Sequence, residues 1–161
     1  MSAKILPILA IVILGVILIF AASDDDHKNS ANYVLVPFEE IDIICLGSPL
    51  EGIVVRNQDE YQSLIDTSPD LHPNPGLFCI DYQFPKIDFS QKTLLGYAVS
   101  GGGCSHTIER RAWRSELNKE VIYDIRADFV GSCDKRISED NLILVPQIPE
   151  DYKVSFRVDS E

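Results

Sequence analysis

From Glu120 to Phe129 the sequence EVIYDIRADF sets Val121, Tyr123, Ile125, Ala127 and Phe129 against Ile122, Asp124, Arg126 and Asp128. That two-residue period predicts a strand with one dry and one wet face. YKVSFRV repeats it, turning Tyr152, Val154, Phe156 and Val158 one way and Lys153, Ser155 and Arg157 the other. HTIERRAWR, joined to EVIYDIRADF across SELNK, predicts a hairpin, and KTLLGYAVS, GIVVRN and NLILVPQIP supply further strands. Pro146 in the last of these is expected at a sheet edge, where a missing N–H is tolerated. YVLVPFEEIDII offers strand material broken at Pro37.

One segment has the helical period instead. In NQDEYQSLIDTSP, Tyr61, Leu64 and Ile65 share a face, Asn57 and Glu60 form a capping box, and Pro69 enforces a stop. The segment from Ser68 to Phe89 is proline-punctuated and irregular. These elements predict an α+β fold, a mainly antiparallel twisted sheet with one short helix packed on it. Folding the hairpin about Asn118 puts Ala112 opposite Asp124 and brings Cys104 within a residue of Cys133.

The amino end follows a third pattern. Lys4 precedes an uncharged run from Ile5 to Ala22, and SDDDHK follows it. Basic before and acidic after predicts export of everything downstream. The run lies between the length of a cleavable signal core and that of a spanning helix, so both remain open, with cleavage before Asp24 as one outcome. The expected organisation is a signal anchor or signal peptide over residues 1–23, a polar tether over 24–32, and a single extracytoplasmic domain over 33–161.

The totals sharpen this. The 161 residues are 45% hydrophobic and carry a formal charge of −11, which supports one real core and disfavours nucleic acid as a partner. Cys45, Cys79, Cys104 and Cys133 all lie in the exported part, and an even count there predicts two disulfides. The hairpin register makes Cys104–Cys133 the first pair and leaves Cys45–Cys79 as the second. No spacing suits a metal site or demands a cofactor, and none is expected.

In VSGGGCSH, Gly101, Gly102 and Gly103 precede a cysteine and a further strand, not the lysine and helix of a phosphate loop. Ser105 and His106 are adjacent, so in a strand they face opposite ways and cannot share a proton. The corner is expected to be structural, and no catalytic residue is assigned. His72, Trp113, Tyr97 and Arg111 are the candidates for a partner or ligand surface, with a place in the core as the other reading of Trp113 and Tyr97 and plain solvation that of His72; the arginines around Trp113 would suit a cation–π patch.

Two stretches, IVVRNQDEYQSLI and FPKIDFSQKTLLGYAVSGGG, together resemble the bacterial PrcB C-terminal family in their strand, short capped helix, P-x-[IV]-D-F and following hydrophobic strand. Ser23 stands where that family's exported lipoprotein would carry a lipidated cysteine. The resemblance implies an accessory role, binding or stabilising another envelope or secreted protein; the amino-terminal run makes the membrane the second expected partner. The alternatives are a small-ligand or metal-binding exported module and a hydrolase built on a histidine.

Overall fold

The computed structural model describes residues 32–43, 45–46, 51–67 and 82–160. Among the described residues, eight strands and one helix follow in order: β1 (Val34–Leu35), β2 (Glu39–Glu40), β3 (Ile53–Val55), α1 (Gln58–Asp66), β4 (Lys92–Gly102), β5 (Ser105–Ser115), β6 (Glu120–Val130), β7 (Arg136–Pro146) and β8 (Lys153–Ser160). The amino-terminal run of the expected membrane helix lies outside the described residues.

The strands form two sheets, not the one expected from periodicity. The first has the order β1-β5-β6-β8 and the second β2-β7-β4-β3. Pairing is antiparallel throughout except between β6 and β8, which run parallel. The division follows from which strands are dry on both faces. Leu94 and Leu95 are consecutive and both fully buried, as are Leu142 and Ile143, so TLLG and LIL show no alternation. Leu95, Val99, Ile143 and Val145 face the first sheet and meet Ala112, Val121, Tyr123, Ile125 and Ala127. Leu94 and Leu142 face the other way, into a second core with Tyr61, Ile43, Leu46, Ile87 and Phe89. The molecule is therefore three layers deep, with the second sheet in the middle.

α1 supplies the outer layer. Asn57 caps it, its Oδ1 accepting the Glu60 N–H at 2.9 Å, while the Glu60 carboxylate accepts from the Arg56 N–H at 2.6 Å. The reciprocal bond reaches one residue before the cap, a variant of the expected box. Tyr61 is buried by this packing, its hydroxyl donating to the Pro85 carbonyl at 3.1 Å, and burial pushes its pKa up to about 12.

Two expectations change in detail. Ala112 pairs with Tyr123, not Asp124, because the chain reverses through a four-residue turn, Glu116 to Lys119, in which Lys119 takes φ 47°. The Ser115 hydroxyl accepts the Asn118 N–H inside this turn at 3.1 Å. Pro146 ends β7, which as a strand is interior, between β2 and β4, while its end beyond Leu144 is a local edge as expected. It is tolerated because β2 reaches only to Leu144, so Pro146 needs no ladder donor on that side.

Three acids around the hairpin turn have basic partners. Glu116 pairs with Arg114 at 2.6 Å, Asp151 with Lys119 at 2.5 Å, and Glu120 with Lys153 at 3.6 Å. Hydrogen bonds from the Tyr152 hydroxyl and then Arg114 hold the Glu116 carboxyl below its usual range; Lys119 does the same for Asp151, and the Tyr33 and Ser155 hydroxyls for Glu120. A carboxyl with a depressed folded pKa stabilises above its unfolded pKa and loses that contribution as pH falls through the folded one. Urea unfolding should give a stability flat from neutrality to about pH 5 and falling below about pH 4.5. Glu116→Gln should shrink that fall, and stability that rises on acidification would contradict the pairing.

Candidate functional site

Among the described residues, exposed polar groups also gather at the corner where β4 meets β5 and on the outer face of the first sheet. At the corner the Gly103 N–H donates to the Lys135 carbonyl at 3.1 Å and the Cys104 N–H to the Val130 carbonyl at 2.8 Å. Cys104 and Cys133 are bridged with their Cα atoms 4.9 Å apart, as the hairpin register requires. The glycines answer to neighbouring atoms. A Cβ at Gly101 would lie 2.3 Å from the Phe129 ring, and Gly131, at φ +98°, would place one 2.7 Å from the Cys104 sulfur. The backbone here is close-fitted to a ring and a bridge, not opened to cradle an anion.

His106 turns inward. Its ring stacks on Phe129 with centroids 6.0 Å apart, and Nε2 lies 3.0 Å from Glu139 Oε1 on the other sheet. Deeper along the same seam, Arg110 donates to Asn141 Oδ1 at 2.9 Å and pairs with Glu40 at 3.3 Å, and the Tyr123 hydroxyl donates to the Asn141 carbonyl at 3.4 Å. Burial raises the Tyr123 pKa. Asp140, though its side chain still meets solvent, has its carboxyl held above the usual range by partial burial first, then by Glu139 and Asp42.

These contacts tie the two sheets together where their edges are short of partners. An open cleft of about 550 Å³ above them is lined by Ser105, His106, Ser138 and Glu139 among others. A second opening of about 570 Å³ borders Ser100, Lys135 and Arg136. Ser105 lies on the opposite face of β5 from His106, so its hydroxyl is not presented to the imidazole. The His106–Glu139 pair by itself assembles no nucleophile.

The outer face of the first sheet is organised differently. Register places Glu109 beside Arg126 and Asp159 in one row, and Arg111 beside Asp124 and Arg157 in the next. Opposite charges stand directly across every strand pair, each worth a few tenths of a kcal/mol, about 0.2 to 1. Arg111 also reaches Glu109 at 3.3 Å along its own strand, and Arg126 reaches Asp159 at 3.7 Å. The row beyond Arg111 sets Leu35, Trp113 and Ile122 side by side and ends on Ser155.

No family model, curated protein or solved structure matches this chain.

Of the residues singled out from sequence, Arg111 and Trp113 share this outer face, two apart on β5. Tyr97 stands elsewhere, half-buried against the core between the sheets with its ring 5.7 Å from that of Phe156. His72 lies outside the described residues, so its relation to His106 is not part of the site. Cys45 is buried and no cysteine among the described residues is a free thiol; its expected partner Cys79 lies outside them. One disulfide, Cys104–Cys133, is therefore described in place of the expected two. Glu139, Arg110 and Asn141 carry no signal in the sequence, because their contacts join strands of different sheets.

Proposed function

We propose that this chain is a non-enzymatic accessory domain of the cell envelope. It is tethered to the membrane by its amino-terminal segment, with the folded part outside the cytoplasm, and it binds or stabilises another exported protein. The reading includes the second bridge, Cys45–Cys79, and the resemblance to the PrcB C-terminal family. The observation that carries it is the outer face of the first sheet. Six charges stand there in two alternating rows, and no described element covers them. A mixed-charge sheet face is suited to registering a protein partner, because each misplaced row sets like charges against one another. The Cys104–Cys133 bridge supports the compartment, since such bonds persist on the oxidising side of a membrane.

A photo-reactive residue in place of Arg111, expressed in intact cells, tests the binding role. The expected result is one reproducible covalent adduct to another exported protein, lost when Asp124 and Arg157 are both reversed in charge. Adducts indistinguishable from those of the same photo-reactive residue placed at Gln62, on the exposed side of α1, would overturn it.

A further inference from the structure

We infer that the hairpin-turn end of the first sheet is a lipid-contacting surface that rests on the outer boundary of the bilayer holding the amino-terminal segment. The inference rests on the tethered reading above and adds to it a face, an orientation and a second contact with lipid.

Five large apolar side chains stand exposed among the described residues, and three of them are at this one end: Leu117 at 74%, Val34 at 63% and Leu35 at 61%. Leu117 is in the turn between β5 and β6, and Val34 and Leu35 pair with Arg114 and Trp113 just before it. Tyr33 joins the group, its hydroxyl donating to Glu120 at 2.6 Å and accepting from the Asn118 amide at 3.2 Å. Aliphatic side chains beside a tyrosine and a tryptophan make the composition that settles at the boundary between headgroups and acyl chains.

The position of the chain's entry selects this partner. The described fold begins at Asn32, at the same end as these side chains, and the apolar run closes at Ala22. The residues between them reach at most about 35 Å when fully extended, about the length of one long strand of this fold. Of the two ends of the sheet, this is the one held nearest the membrane.

Charge agrees. The molecule carries −11 overall, which an anionic surface would repel, yet Glu116, Asp151 and Glu120 here are each matched by Arg114, Lys119 and Lys153. The acids of these three pairs thus bring no uncompensated charge to the lipid. With this end down, the two charged rows of the same sheet stand above the bilayer, facing sideways.

Trp113 is the only tryptophan and is paired with Leu35, so its emission reports the contact directly. The full-length chain is reconstituted in phosphatidylcholine vesicles, with and without a nitroxide on the headgroup. The expected result is a loss of Trp113 emission in the labelled vesicles. Most of it should be recovered in Leu35→Asp/Leu117→Asp, whose substitutions fall at exposed positions and leave the amino-terminal segment intact. Equal emission in labelled and unlabelled vesicles, or equal quenching of the two chains, overturns the inference. Flotation with the vesicles at alkaline pH separates the two readings. A chain that floats but is not quenched is tethered without this contact, whereas a chain left at the bottom of the gradient overturns the tether and the contact together.

Discussion

Replacing Cys104 and Cys133 together by alanine should lower the unfolding free energy by about 3 to 4 kcal/mol, the largest loss any surface change in this protein is expected to cause. The bridge closes a loop of sequence separation 29, which in the unfolded chain removes conformations that the native state never samples. In a domain of this size the melting temperature should drop by roughly 10 to 15 °C. Both cysteines are exposed, so little packing is lost with the sulfurs and the effect reads as the cross-link itself. A double variant within about 1 kcal/mol of the parent would show that β5, β6 and the start of β7 hold their corner without it.

Gly101→Ala should cost about 2 to 3 kcal/mol, at the upper end of what overpacking commonly costs. The added carbon would come within 2.3 Å of Cδ2 and 2.5 Å of Cγ of Phe129. That ring cannot simply swing aside, because its other neighbour is the His106 imidazole, itself tied to Glu139. The cost should therefore vanish in a Phe129→Ala background, giving a double-mutant coupling of at least about 1.5 kcal/mol in urea unfolding. Equal costs in both backgrounds would mean that the glycine is required by its backbone and not by the ring. Gly102, one residue on, has open space where a Cβ would go, so Gly102→Ala should be close to neutral.

How much of this was legible in the sequence depends on the range of the interaction. The cap of α1 was legible because Asn57 and Glu60 satisfy backbone donors within one turn. The hairpin was legible because Val121 to Phe129 alternate, and with it the Cys104–Cys133 pair, although the turn moved the register by one residue. The second sheet was not. Leu94–Leu95 and Leu142–Ile143 are apolar on both faces, and a run without alternation does not say how many layers surround it. The parallel pairing of β8 with β6 was likewise hidden, since YKVSFRV alternates the same way in either direction.

The surface divides along the same line. Arg111 and Trp113 could be placed on one face from their spacing alone, and the charge rows needed only the register to become visible. The seam of His106, Glu139, Arg110 and Asn141 depends on how one sheet lies over the other, which no local pattern encodes. Tyr97 takes the core position that was one of its two readings, its ring packed near that of Phe156.

All of these readings presuppose that the folded part matures on the oxidising side of the membrane. The most direct test is a peptide map of the full chain, taken from intact cells with free thiols blocked at lysis. If the domain is exported, tryptic peptides 93–110 and 127–135, which contain Cys104 and Cys133, should run as a single linked mass that separates only after reduction. Recovering both peptides separately with blocked thiols before any reductant is added would contradict the account.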